Sequence, residues 1–189
     1  RPGVFAQRVA PVQVAYLGFP ATSGAPYMDY LIADARVVPP ELDSGYAERI
    51  VRLPTVFQAN DALQCDPLPV PTRESLGLPQ DGIVFCCFNN SYKITPDMFD
   101  IWMRLLRRVP GSVLWLLDGR GPVADNLRRE AAGRGIDPQR LVFAGRARYD
   151  VHVARCACAD LFLDTFPFNA GATASDALRA GLPIVTRMG

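Results

Sequence analysis

From Gly77 onward the chain alternates uninterrupted apolar runs with segments whose apolar residues recur at helical spacing. The first run, Ile83-Val84-Phe85-Cys86-Cys87-Phe88, contains no polar position, the pattern of a strand covered on both faces of a parallel sheet. Thr95-Pro96-Asp97 then supplies an N-cap, a proline for the first helical position and an acid for the first turn, and MFDIWMRLLRRV continues as a helix until Pro110-Gly111. Three further units repeat the order. The second is VLWLLD (113–118), a GRGP loop and a helix from Val123 to Arg134 stopped by Gly135; the third is RLVFAG (140–145), a loop RARYD and a helix through HVARCACA. The fourth is DLFLDT (160–165), a long loop FPFNAGAT and a helix SDALRAG that leads into LPIVT. Strands alternating with helices of about ten residues predict βαβ units with right-handed crossovers, hence an α/β fold with a doubly wound parallel sheet.

Residues 1–75 follow a different pattern. PVQVAYLGF predicts a buried strand and MDYLIAD a second, while VVPPELDSGYAERIVRLP reads as a loop, a short amphipathic helix and an edge strand. The segment CDPLPVPTRESLGLP, with its four prolines, reads as a linker. These signals place a boundary near residue 75 and divide the chain into parts 1–75 and 76–189. Arg1 begins without Met and Gly189 follows directly on LPIVT, so the chain is expected to be a piece of a longer protein.

Composition narrows the function classes. The chain is 49% hydrophobic and 21% charged, as expected of a globular protein with a large core. With 20 Lys+Arg against 19 Asp+Glu the net charge is +1, which gives no field to attract nucleic acid, so any anion must be met by a local site. No cationic leader or membrane-length apolar run is present. The five cysteines, Cys65, Cys86, Cys87, Cys156 and Cys158, include no CxxC pair and fit reduced thiols in a cytoplasmic protein. Cys156-Ala157-Cys158 lacks the partners of a metal site, since His152 is the sole imidazole.

In an open parallel sheet, ligands gather at the carboxyl ends of the strands, and all four loops there are polar: NNSYK, GRGP, RARYD and FPFNAGATASD. The first holds the one lysine, Lys93, of a chain whose other 19 cations are arginines. Between a strand end and a helix N-terminus, a flexible ammonium suits a diphosphate, and against the chain's bias toward arginine this outweighs the alternative of a solvated surface lysine. Neither GxxxxGK[ST] nor GxGxxG occurs, which disfavours P-loop and dehydrogenase readings even though Asp118 ends the second strand. Thr173, Ser175 and Asp176 stand near the start of the last helix, where hydroxyls take phosphate oxygens and Asp176 either accepts from a ribose or caps the helix. His152 and Arg155 lie one turn apart on the third helix, and no nucleophile stands at triad spacing.

Taken together, APVQVAYLGFPATSGAPYMDYLIAD, FNNSYKITP, VPGSVLWLL and DLFLDTFPFNAGATASDALRAGLPIVT resemble, in colinear order over nearly the whole chain, the catalytic region of O-GlcNAc transferases, bacterial homologues in particular. The resemblance implies a GT-B fold with Rossmann-like lobes. It also implies a metal-independent, inverting transfer of N-acetylglucosamine from UDP-GlcNAc to Ser or Thr hydroxyls of proteins, with no cofactor beyond the donor and upstream tetratricopeptide repeats in the full-length chain. Lys93 then matches the cation that stabilises the leaving diphosphate, Asn90 a diphosphate contact, and Tyr92 and Phe168 flank the sugar. Leu17 and Gly18 match a backbone turn near the N-acetyl group. Ala147 matches the residue whose backbone meets the uracil, His152 the one packed on the base, Arg155 a neighbour of the uridine, Asp176 the ribose carboxylate and Thr173 a phosphate-loop threonine.

The chain departs from the family at that loop, which usually reads GHTT or AHTT and here is Ala170-Gly171-Ala172-Thr173. Each hydrogen bond to a charged group lost there costs roughly 1.5–3 kcal/mol. Tyr149 stands where animal members often have lysine, and the family's first-lobe histidine lies before residue 1. Two alternatives follow: a degenerate nucleotide-binding or interaction module without turnover, and a transferase of the same fold using another sugar.

Overall fold

The computed structural model describes residues 2–61, 68–118 and 121–188. Cys65, the start of the proline-rich segment and part of the GRGP loop lie outside the described residues. The chain forms two compact units, 1–62 and 63–189.

The first unit opens with a short helix α1 (Pro2–Phe5) and builds a parallel sheet in the order β1-β2-β3 from β1 (Val14–Ala15), β2 (Tyr30–Asp34) and β3 (Arg49–Leu53). Its core is Leu31, Ala33 and Val38, with Asp34 buried at the carboxyl end of β2, where it accepts from the backbone N–H groups of Arg36, Val37 and Phe57. Burial works against ionisation of Asp34, but the three N–H groups outweigh it and hold the carboxyl below its ordinary range. Glu48 does the same for the Thr22-Ser23 turn, accepting from both hydroxyls and from Ser23 N–H at 2.5–2.7 Å. PVQVAYLGF is not the buried strand its composition suggests: only Val14 and Ala15 pair, and Val14, Tyr16, Leu17 and Phe19 are exposed. β1 is an edge, paired only with β2, and the chain leaves the extended conformation at Leu17, whose φ is 55°.

The second unit is a five-stranded parallel sheet ordered β6-β5-β4-β7-β8, made of β4 (Val84–Cys87), β5 (Val113–Leu117), β6 (Leu141–Ala144), β7 (Leu161–Leu163) and β8 (Ile184–Val185). Its crossovers carry α2 (Pro96–Arg108), α3 (Val123–Gly133), α4 (Tyr149–Cys156) and α5 (Ala172–Arg179). β4 is buried at every position and β5 at all but Leu117, as continuous apolar runs require when helices cover both faces. Phe99, Trp102, Met103 and Leu106 form the buried stripe of α2, spaced three and four residues apart. Thr95 caps the helix by accepting from Met98 N–H, and at its far end the Arg140 guanidinium donates to the carbonyls of Leu106, Val109 and Ser112. No helix among the described residues is long and apolar enough to cross a membrane.

The proline-rich segment is fastened to this unit: Arg73 pairs with Asp160 at 2.8 Å and donates to the carbonyls of Cys158 and Gly82. Cys86, Cys87, Cys156 and Cys158 are free and buried, and burial pushes the Cys87 and Cys156 thiols up to about 12, which leaves them poor nucleophiles.

Gly82, at the entry to β4, has φ 94°, and a Cβ there would lie 2.5 Å from the Gly111 carbonyl oxygen. Both the backbone conformation and the contact exclude a side chain. Gly82→Ala is expected to cost about 1–3 kcal/mol, read as a lower Tm by calorimetry; an unchanged Tm would show that the two turns separate freely.

Candidate functional site

Along the sequence the second sheet grows from β4 through β5 to β6 on one side and then resumes on the other with β7 and β8. That reversal puts a crevice between the carboxyl ends of β4 and β7, because their crossovers lead to opposite sides. The loops after these two strands meet there.

The centre of the meeting is Asp164, 8% exposed, at the end of β7. Its Oδ1 accepts from Asn89 Nδ2 at 3.1 Å, Thr165 N–H at 2.7 Å and Ala170 N–H at 2.8 Å; its Oδ2 accepts from Asn169 Nδ2 at 3.1 Å and the Thr186 hydroxyl at 2.7 Å. Asn89, 2% exposed, also donates to the Thr165 hydroxyl, and its Oδ1 accepts from the Thr173 hydroxyl on the first turn of α5. Lys93 ends a short turn, Ser91–Lys93, and its Nζ donates to the Asn169 carbonyl at 2.8 Å. The ammonium stands 3.9 Å from the Phe168 ring centroid, and the Tyr92 ring lies 6.2 Å from Phe168. Partial burial lowers the Lys93 pKa, and Asp164 and the Cys87 thiol act in the opposite sense.

A second cluster lies between α4 and α5. Arg155, 5% exposed, donates to the Gly145 carbonyl at 2.7 Å and lies 2.9 Å from His152 Nδ1. A guanidinium only donates, so Nδ1 accepts and the neutral ring carries its proton on Nε2. That nitrogen stands 3.9 Å from Asp176 Oδ2 and 3.9 Å from Cys156 Sγ. Phe88 packs on the imidazole with centroids 5.2 Å apart and beneath the Arg155 guanidinium at 5.0 Å. α5 joins the clusters: Thr173 and Asp176 are three residues apart on one face, one reaching Asn89 and the other His152. The N-cap of α5, Gly171, has no side chain to satisfy the first turn.

Glycosyl transferase family 41 matches the chain over residues 1–68 and 63–189. The chain belongs to glycosyl transferase family 41. It is 41% identical, over 97% of its length, to the Arabidopsis thaliana probable UDP-N-acetylglucosamine–peptide N-acetylglucosaminyltransferase SEC, of which it covers 19%. It is 34% identical over 99% of its length to the tomato (Solanum lycopersicum) SPINDLY protein of the same description, covering 20%. This family 41 chain thus spans about a fifth of the curated relatives it matches. An O-GlcNAc transferase mutant from Thermobaculum terrenum superposes with a TM-score of 0.83 at 33% identity, over 98% of this chain and 35% of that one. The likeness to O-GlcNAc transferases drawn from LGFPATSGA and FNNSYK is thereby established, and the helix-flanked parallel sheets are those of GT-B glycosyltransferases.

Of the residues marked in the sequence, Lys93, Tyr92 and Phe168 come together, and so do His152, Arg155 and Asp176. Thr173 connects to the first group through Asn89. Asn90 is exposed at the N-cap position of the turn that ends in Lys93, where its side chain makes no cap bond, and Ala147 is exposed on the loop after β6. Leu17, with its left-handed backbone, and Gly18 belong to the first unit. Sequence reasoning passed over Asn89, Asp164 and Asn169. The available signal was polar residues directly at the ends of apolar strands, in FNN and LDT.

Burial pushes the His152 imidazole below its ordinary value, the Arg155 cation adds to this, and Asp176 opposes it. The unfolded chain therefore takes up this proton first, so stability present above about pH 6.5 is lost as pH falls through the lower folded value. The Tm is expected to drop between pH 7 and pH 5 by calorimetry and to drop less in His152→Gln. Equal slopes for the two proteins would show that His152 is as readily protonated folded as unfolded.

Proposed function

We propose that the protein containing this chain transfers N-acetylglucosamine from UDP-GlcNAc to Ser or Thr hydroxyls of proteins, with inversion and without a metal. The carrying observation is the joining of Lys93, Thr173 and the start of α5 in the crevice between β4 and β7 of a family 41 chain. In this reading the acceptor oxygen bonds to the anomeric carbon from the face opposite the departing UDP. The C–O bond to the β-phosphate breaks, UDP leaves with the electron pair, and the acceptor's proton passes to water. The negative charge that develops on the diphosphate is met by the Lys93 ammonium and the N–H groups of α5, already fixed in place before the reaction. Asn90 and Thr173 contact the diphosphate, and Tyr92, Phe168, Leu17 and Gly18 contact the sugar. Asp176 takes the ribose hydroxyls, while Ala147, His152 and Arg155 bind the base. Placement in the cytoplasm and recruitment of protein acceptors through upstream repeats belong to the same proposal.

Calorimetric titration of the full-length protein with UDP and UDP-GlcNAc, in the presence of a chelator, tests the donor site. Micromolar binding is expected. Lys93→Ala should lower transfer about 10²–10³-fold, the scale of losing one preorganised charge-stabilising donor, with the Tm unchanged; normal turnover in that variant removes Lys93 from the reaction.

A second reading, a nucleotide-binding or interaction module without turnover, is favoured by the loop Ala170-Gly171-Ala172-Thr173, which lacks the histidine and threonine that the resemblance to O-GlcNAc transferases implies there. It expects no heat from either nucleotide, and binding regained in the Gly171→His/Ala172→Thr double variant. Use of another sugar would appear as equal affinity for UDP with a different donor supporting transfer.

A further inference from the structure

Asp164 is named by no functional assignment above, yet it accepts from groups at the ends of β4, β7 and β8. It is the only acceptor that joins the ends of β4, β7 and β8 and the last residues of the loop into α5 among the hydrogen bonds of the described residues. Five donors converge on its two oxygens, which uses their full capacity. A buried carboxylate so saturated has no lone pair left for a ligand. What it can do is hold its donors still, and two of these lead directly to proposed donor-binding groups. Through Asn169, whose side-chain amide donates to Asp164 and whose backbone carbonyl accepts from Lys93, it fixes the ammonium. Through Asn89, which donates to Asp164 and accepts from Thr173, it fixes the hydroxyl at the start of α5.

We propose that Asp164 is the positioning residue of the donor site: its carboxylate, acting through Asn169 and Asn89, sets Lys93 and the Thr173 hydroxyl in one fixed arrangement before a nucleotide-sugar binds. The idea rests on the reading of Lys93 as a diphosphate ligand. Its physical basis is that a charge-stabilising donor lowers a barrier only if it does not have to reorganise during the reaction. A long lysine side chain on a loop is otherwise free to move, and the Asn169 carbonyl with the Phe168 ring gives it one seat. The carboxylate has a second effect on the same group. The titratable groups acting on Lys93 are Asp164 at the end of β7 and the Cys87 thiol at the end of β4, and the former favours the cation against the burial that disfavours it.

The test uses the full-length protein, with kcat/KM for UDP-GlcNAc measured for wild type, Asp164→Asn, Asn169→Ala, Lys93→Ala and the double variants with Lys93→Ala. Asp164→Asn and Asn169→Ala are each expected to lower kcat/KM at least tenfold, mostly through kcat. In the Lys93→Ala background each should lower it less than threefold, because the group they position is gone. A buried group that served only stability would multiply its loss onto Lys93→Ala unchanged, and that result overturns the proposal, as does wild-type kcat/KM in Asn169→Ala. Should Asp164→Asn fail to fold, Asn169→Ala carries the comparison, since it cuts the same link while leaving the carboxylate and its other four donors in place.

A readout independent of turnover separates this from the functional reading. In protein labelled at lysine Cε, with the Lys93 signal assigned by its loss in Lys93→Arg, the NMR titration midpoint of Lys93 should fall in Asp164→Asn. An unmoved midpoint shows that the carboxylate does not act on the ammonium and sinks the proposal. If Lys93→Ala itself keeps normal transfer, the functional reading fails, while a shifted midpoint would still show Asp164 holding Lys93.

Discussion

Everything in the second unit depends on one topological constraint: parallel strands cannot be joined by hairpins, so each must be followed by a crossover that returns the chain to the same end of the sheet. All five strands therefore release their loops on one side, and the change of direction between β4 and β7 opens the space where two of those loops meet. The site consequently needs no long-range coincidence. Asn89, Asn90 and Lys93 arrive because they follow β4, and Asp164, Phe168, Asn169 and Thr173 because they follow β7.

Such a meeting buries polar groups, and these must be paired. The Asp164 carboxylate resolves this by gathering backbone and amide donors from several segments, the same device that Asp34 and Glu48 use in the first unit for the loops after β2 and β1. In each case a buried acid organises irregular backbone that has no ladder of its own. The difference is in what the organised loop carries. In the second unit it holds Lys93 and leads into α5, so a structural necessity becomes the framework of the proposed donor site.

The second cluster uses its charge differently. Arg155 is buried against Phe88 and donates to the Gly145 carbonyl and to His152. By occupying Nδ1 it turns the other face of the imidazole toward Asp176, and a neutral histidine held this way offers a flat ring and one donor. The one-turn spacing of His152 and Arg155 was visible in the sequence, but the choice of tautomer was not, because it depends on which nitrogen the guanidinium reaches.

The sequence by itself determined the strand and helix order of residues 77–188, since uninterrupted apolar runs and helical stripes are local signals that a two-sided sheet leaves unchanged. It also marked Lys93, a lone lysine at a strand end. It misjudged PVQVAYLGF, because an apolar run on an edge strand reads like one in the centre and only the neighbours tell them apart. The tertiary structure alone decided which of two adjacent asparagines turns inward, Asn89 buried and Asn90 exposed, and that Asp164 is a hub and not a strand-end acid in water. Asn89 turns in toward groups 75 and 76 residues away in the chain, brought within 3.1 Å by the pairing of β4 with β7, and it is one of the two donors that reach Asp164 from outside the loop after β7. No local pattern encodes a hydrogen bond of that span.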